Sequence, residues 1–148
     1  MLTVGTEWLI EASGCDAEAL RDAGRLREVF ARALSELSLR VVGEPQWHTF
    51  PGEGGVTGLV MLTESHLTCH TYPEFGVATF NLYCCRERPA WAWDEHLREL
   101  IGAREVRVRS VSRETVEAQA HIDEAHTNEA HTHTQEAQAH RQASGGEA

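Results

Sequence analysis

Between residues 56 and 84 three strand-like stretches follow one another with almost nothing between them: 56–63 (VTGLVMLT), 65–71 and 77–84 (VATFNLYC). The last two flank Pro73–Gly76 and read as a hairpin with a four-residue connection. Connections this short join antiparallel neighbours, so the middle of the chain commits the fold to an antiparallel sheet.

The flanking segments supply helices and further strands. Residues 4–10 (VGTEWLI) read as a first strand, and Asp16 as the N-cap of a helix. Ala19, Leu20, Ala23, Leu26, Phe30, Ala33, Leu34 and Leu37 recur at spacings of three and four, which predicts one helix with one apolar stripe. Val41–Val42 resume extended structure, Pro45 marks a break or an edge, and PGEGG at 51–55 is a loop. A second helix after Pro89 turns Trp93, Leu97, Leu100 and Ile101 inward and stops at Gly102. Residues 105–111 (EVRVRSV) alternate and close the sheet. The order β-α-β-β-β-β-α-β predicts an α+β two-layer sandwich, a mostly antiparallel sheet with helices on one face. The other face then needs a cover, which a homodimer packing sheet on sheet would supply in a four-layer αββα arrangement.

From about Arg113 the composition changes. The stretch HIDEAHTNEAHTHTQEAQAHRQASGGEA has a single Ile and cannot bury enough apolar area to offset ordering. The predicted organisation is a domain at 1–113 and a disordered His/Glu/Ala-rich tail at 114–148. His121, His126 and His131 are five apart, a spacing that does not align them on one helix face, so no specific metal site is expected.

Composition narrows the function. A net charge of −10 disfavours nucleic acid as a partner, because phosphates require a basic surface. No apolar run is long enough to span a bilayer and no basic-then-apolar leader opens the chain, so no membrane role is expected and the default location is the cytoplasm. The four cysteines, at 15, 69, 84 and 85, include no CxxC pair and read as free thiols in a reducing compartment. All 13 basic residues are arginine. Without lysine the chain cannot hold pyridoxal phosphate as a Schiff base.

The chemistry-bearing segment is TESHLTCHTYPEFG at 63–76. Ser65 lacks the G-x-S-x-G elbow of a hydrolase nucleophile, and its only histidine candidates would be His66, His70, His48 or His96. Read singly, a strand serine and a strand cysteine are structural; Ser65, His70 and Cys85 draw meaning from occurring together. The run LTESHLTCHTYPEFGVATFNLYCC resembles the bacterial S-adenosylmethionine decarboxylase proenzymes, with E-S-H, then x-x-x-H-T-aromatic-P-E-aromatic-G, then a strand ending in cysteine. The resemblance spans roughly residues 5–113.

That resemblance implies a proenzyme that cuts itself between Glu64 and Ser65. The Ser65 hydroxyl attacks the Glu64 carbonyl to give an ester, and β-elimination then releases residues 1–64. The dehydroalanine left at 65 takes up water and loses ammonia to become a pyruvoyl group, the self-made cofactor. By the same resemblance His70 is the processing base, and Thr57 stands where the family usually has a serine that supports processing. The pyruvoyl carbonyl forms an imine with the small-molecule substrate, and Cys85 reprotonates the α-carbon after CO₂ leaves. Phe50 and Tyr72 would wall the adenine, and Glu74 would hold the ribose. Cys84 would face away from the site, and Cys69 and Cys15 would be core.

Departures bear on the substrate. Asn81 stands where the family commonly has Asp, and Arg86 and Arg88 add positive charge suited to a second carboxylate or to an altered substrate. Ornithine or arginine decarboxylation on the same scaffold is therefore an alternative, although a cationic substrate would prefer more acid in the pocket. An alternative of another class is an unprocessed, non-catalytic or metal-binding regulatory protein. The expected assembly is a homodimer of cleaved protomers, each site drawing on both.

Overall fold

The computed structural model describes residues 2–115. Contacts gather Thr3–Arg113 into one compact unit. The expected tail, His121, His126 and His131 included, lies outside the described residues apart from 114 and 115.

Six strands form a single sheet: β1 (Thr3–Ser13), β2 (Gln46–Thr49), β3 (Val56–Leu62), β4 (Ser65–Tyr72), β5 (Val77–Cys84) and β6 (Glu105–Glu114). Their order across it is β2-β3-β4-β5-β1-β6. The pairs β2–β3, β3–β4, β4–β5 and β5–β1 are antiparallel. The connection from β4 to β5 is a short 3-10 turn at Pro73–Phe75, closed by Gly76 at φ 59°, a left-handed conformation that glycine adopts without a Cβ clash. Strand β1 runs three residues past the predicted end because Glu11, Ala12 and Ser13 pair with Thr79, Ala78 and Val77 of β5. Position 41 rejoins the sheet only as an isolated bridge to Leu62.

The helices are α1 (Ala17–Arg21), α2 (Ala23–Glu36) and α3 (Trp93–Ile101). The single helix expected after Asp16 is in fact two. Asp16 caps α1, its carboxylate accepting from the Glu18 and Ala19 N–H groups at 2.8 and 3.3 Å. Asp22 then caps α2 in the same way, accepting from Gly24 and Arg25 at 2.8 and 3.4 Å, with its own backbone extended at ψ 97°. A side chain that hydrogen-bonds forward to the backbone competes with helix continuation, and here it wins. The apolar stripe survives the break, since Ala19, Leu20, Leu26, Val29, Phe30 and Ala33 are all buried, while Ala23 and Leu34 are only partly so. Gly102 ends α3 in the left-handed region, as its position predicts.

Alternation sorts the sheet's side chains into two sets. Leu67, Cys69 and Thr71 of β4, and Ala78, Phe80, Leu82 and Cys84 of β5, point into the helix-covered core. His66, Thr68 and His70, with Thr79, Asn81 and Tyr83, occupy the alternate, half-buried positions of the open face. Phe80 meets Trp93 of α3 with ring centroids 5.7 Å apart.

One buried polar group ties the layers together. The Thr71 hydroxyl, 1% exposed, accepts from the Val56 N–H at 2.8 Å and donates to the Leu20 carbonyl at 2.9 Å, so α1, β3 and β4 converge on it. Thr71→Val keeps the shape but leaves a buried donor and a buried acceptor unpaired. A loss of about 2 kcal/mol in urea unfolding is expected, with Thr71→Ser losing less.

Candidate active site

The turn from β3 to β4 carries the chemistry. Leu62 pairs with Ser65, so only Thr63 and Glu64 connect the two strands. The Glu64 carbonyl accepts a hydrogen bond from the Cys85 N–H at 3.0 Å. Ser65 has φ 147°, a region a residue with a Cβ rarely enters, which stores strain of order 1–3 kcal/mol at this bond. The Glu64 carboxylate is held by Arg88, whose Nε donates to Oε2 at 3.0 Å while Nη2 donates to Oε1, both side chains being largely buried. Arg88 is therefore engaged by Glu64 and is not free for a substrate carboxylate. Glu64 and Cys85 line a common cavity of about 460 Å³ with Ser38, Arg40, Thr63 and Arg86.

From Ser65 a chain of hydrogen bonds crosses the open face. Ser65 Oγ lies 3.1 Å from His66 Nδ1, and His66 Nε2 lies 3.1 Å from Asn81 Oδ1. Asn81 Nδ2 donates to Glu7 Oε1 at 2.7 Å, and Arg113 donates to Glu7 Oε2 at 2.7 Å. The hydrogen bond from Asn81, reinforced by Arg113, holds the Glu7 carboxyl below the usual range for a glutamate. Neither Glu7 nor a role for His66 was legible in the sequence: Glu7 is one of many acids in the chain, and no motif joins it to Asn81 on another strand.

Other expected residues gather at the far end of the same strands. Thr57 Oγ1 and His70 Nδ1 are 2.6 Å apart, from directly paired positions on β3 and β4. His70 lies between two aromatic rings, Phe50 at 5.5 Å and Tyr72 at 4.6 Å between centroids, each meeting it edge-on. Phe50, His70, Tyr72 and Glu74 line one recess of about 190 Å³. His70 is five residues from Ser65 along β4, a separation of about 16 Å at the rise of an extended strand. The structure thus unites Thr57, His70, Phe50, Tyr72 and Glu74, unites Glu64, Ser65 and Cys85, and keeps the two groups apart within one chain.

A family model described as S-adenosylmethionine decarboxylase matches residues 6–114. The chain belongs to that family. Its curated relatives include the S-adenosylmethionine decarboxylase proenzyme of Pyrococcus abyssi, 34% identical over 115 residues, covering 76% of this chain and 81% of the relative. The proenzyme of the same name from Moorella thermoacetica is 33% identical over 118 residues, covering 79% and 93%. Among solved structures, the adenosylmethionine decarboxylase of Aquifex aeolicus superposes with a TM-score of 0.66 at 26% identity, over 78% of this chain and 95% of that one. The six-stranded antiparallel architecture agrees with this likeness.

The four thiols of this family member differ sharply in environment. Burial pushes Cys69 up to about 12; it pushes Cys84 up to about 11, where the nearby Glu64 charge adds to the effect, and it also raises Cys15. Cys85, one residue beyond the end of β5, is exposed. Since the thiolate is the reactive form, brief iodoacetamide treatment of the native protein near neutral pH is expected to modify Cys85 first. Peptide mapping should find the other three protected until the protein is unfolded.

Proposed function

We propose that this chain is a proenzyme that cuts itself at Glu64–Ser65 and then decarboxylates S-adenosylmethionine, yielding the aminopropyl donor for spermidine synthesis. The observation that carries the reading is the state of that one peptide bond. Its carbonyl is already polarised by the Cys85 N–H at 3.0 Å, and its serine is held at a strained φ of 147°. A donor aimed at the carbonyl favours the tetrahedral intermediate, and strain favours the chain that has left it.

Processing converts Ser65 into a pyruvoyl group heading the chain 65–148. The surroundings fit such a group: it would follow Glu64, whose carbonyl the exposed Cys85 already contacts through its N–H, next to the cavity that Glu64 and Cys85 line. When present, it supplies the electron-withdrawing carbonyl that a lysine-free decarboxylase lacks. Cys85 is the proton donor to the substrate α-carbon, and its exposure supports this assignment. Phe50 and Tyr72 offer aromatic walls for a planar base, and Glu74 in the same recess accepts hydrogen bonds from the ribose hydroxyls. His70, hydrogen-bonded to Thr57, is the base that removes the Ser65 α-proton during elimination.

A backbone separation of about 16 Å between His70 and Ser65 far exceeds the reach of a proton transfer. Each working site therefore combines Ser65 and Cys85 of one copy with Thr57, His70 and the recess of a second. The open face supports such pairing, because Leu59 and Met61 on it are 44% and 56% exposed in the single chain.

Intact mass gives the first test. Two fragments of about 7 and 9 kDa, in proportion to the 64 and 84 residues they contain, should appear, and only the larger should gain mass from phenylhydrazine. Ser65→Ala should leave one unreactive chain, and an uncut wild-type chain would sink the proposal. Two defective chains test the pairing. Ser65→Ala and His70→Ala are each expected to stay whole alone, whereas together the first lends its His70 to the Ser65 of the second, which is then cut. Absence of cutting in the mixture would place the whole site within one copy.

A further inference from the structure

The hydrogen-bond chain running from Ser65 to Glu7 has a direction, and the direction can be worked out from its far end. A carboxylate only accepts. Glu7, kept ionised by Arg113 and Asn81, therefore faces the NH₂ of Asn81, at 2.7 Å. The carbonyl of Asn81 is thereby turned to His66 Nε2, 3.1 Å away, and it too can only accept. His66 Nε2 must carry the imidazole hydrogen. That leaves Nδ1 as a bare lone pair, 3.1 Å from the Ser65 hydroxyl, which must donate to it. Three side chains on three other strands thus fix the tautomer of one histidine, and the tautomer fixes where the Ser65 proton points.

We infer that His66 is the base that takes the Ser65 hydroxyl proton in the first step of self-cleavage, with Asn81 and Glu7 as positioning residues that hold it in the accepting tautomer. This rests on the proposed self-cleavage and names a residue for its opening step, separate from His70, which acts later on the α-proton. As the proton passes to Nδ1, Ser65 Oγ bonds to the Glu64 carbonyl carbon, and the developing charge on the carbonyl oxygen meets the Cys85 N–H. The C–N bond then breaks with its electron pair on the Ser65 nitrogen, which takes the proton back from His66. The products are an ester and a free amine, with His66 restored and no outside reactant consumed. His66 needs no second copy to act, unlike His70, since it adjoins Ser65 in the same strand.

The test follows cleavage of the full-length chain, made by cell-free synthesis, by intact mass over time. His66→Ala is expected to slow the appearance of fragments about 100-fold, the usual worth of a positioned base, and added imidazole should restore part of the rate. Asn81→Leu should also slow cleavage. Asn81→Gln, which keeps both an accepting carbonyl for Nε2 and a donating NH₂ for Glu7, should retain more of the rate than Asn81→Leu. A His66→Ala chain with a native circular dichroism spectrum that cuts at the wild-type rate overturns the inference. So does one that is slow but indifferent to imidazole. If His66→Ala does not fold, His66→Gln decides instead: slow cleavage is expected, and a wild-type rate overturns the assignment. Wild-type cleavage from Asn81→Leu removes Asn81 and Glu7 from the positioning role. If the wild-type chain itself is never cut, it is self-cleavage that fails; if it is cut and His66→Ala is cut equally fast, only the role of His66 falls.

Discussion

The register of β4 between β3 and β5 is the constraint on which everything else hangs. It is held on both sides, by the pairs running from Thr57↔His70 to Leu62↔Ser65 and from Ser65↔Cys84 to Tyr72↔Val77. Because side chains alternate, a slip of one residue would send His66, Thr68 and His70 into the core and expose Leu67, Cys69 and Thr71. Burying the histidines without partners would cost several kcal/mol, so hydrophobic burial on one face locks the chemical groups on the other. The same alternation separates the adjacent thiols, Cys84 closed into the core and Cys85 open to solvent.

The tight turn at the end of β3 adds the strain. Two-residue hairpin connections favour residues that accept positive φ, usually Gly, Asn or Asp. Thr63 and Glu64 are none of these, and within the β3–β4 turn the positive φ falls instead on Ser65. A cut between Glu64 and Ser65 therefore opens a turn and leaves the ladders alone. Strand β3 stays paired to β4 through the same register, which is how two chains would remain one folded unit after processing. Arg88, in the segment that follows β5, contributes to this by holding Glu64 through its side-chain carboxylate, a contact that does not involve the Glu64–Ser65 peptide bond.

What could be read from the residues follows from how local each signal is. The strands 56–62, 65–72 and 77–84 were legible because short strand-like runs bounded by the 51–55 loop and the Pro73–Gly76 turn are a local signal, and Gly102 marked a helix end in the same way. The break at Asp22 was hidden, because the apolar stripe runs through it and Asp also occurs on exposed helix surfaces. Within the site, the E-S-H and H-T-Y-P-E-F-G segments are contiguous and visible as motifs. The grouping of Phe50 with His70, Tyr72 and Glu74 depends on the return of the 51–55 loop to the start of β3. The link from His66 through Asn81 to Glu7 crosses three strands, the last 74 residues away in sequence, and only the fold reveals it. Arg88 illustrates the opposite error: charge near a site suggests a ligand, but here the nearest anion belongs to the protein.

The distribution of these groups bears on why a second copy is proposed at all. A sheet with Ser65 and Cys85 toward one end of β4–β5, and Thr57, His70 and their aromatic recess toward the other, carries two unlike half-sites at opposite ends of the strands that make its open face. A two-fold axis through the middle of that face would set each half-site against its complement, and one self-complementary contact would complete both sites at once. No insertion or second domain is needed for this. In such a pair the first step of cleavage, which draws only on Glu64, Ser65, His66 and Cys85, can run within a single chain, whereas elimination, which needs His70, waits for the partner. Assembly would then gate the irreversible step, so that ester formed in an isolated chain could still return to the amide.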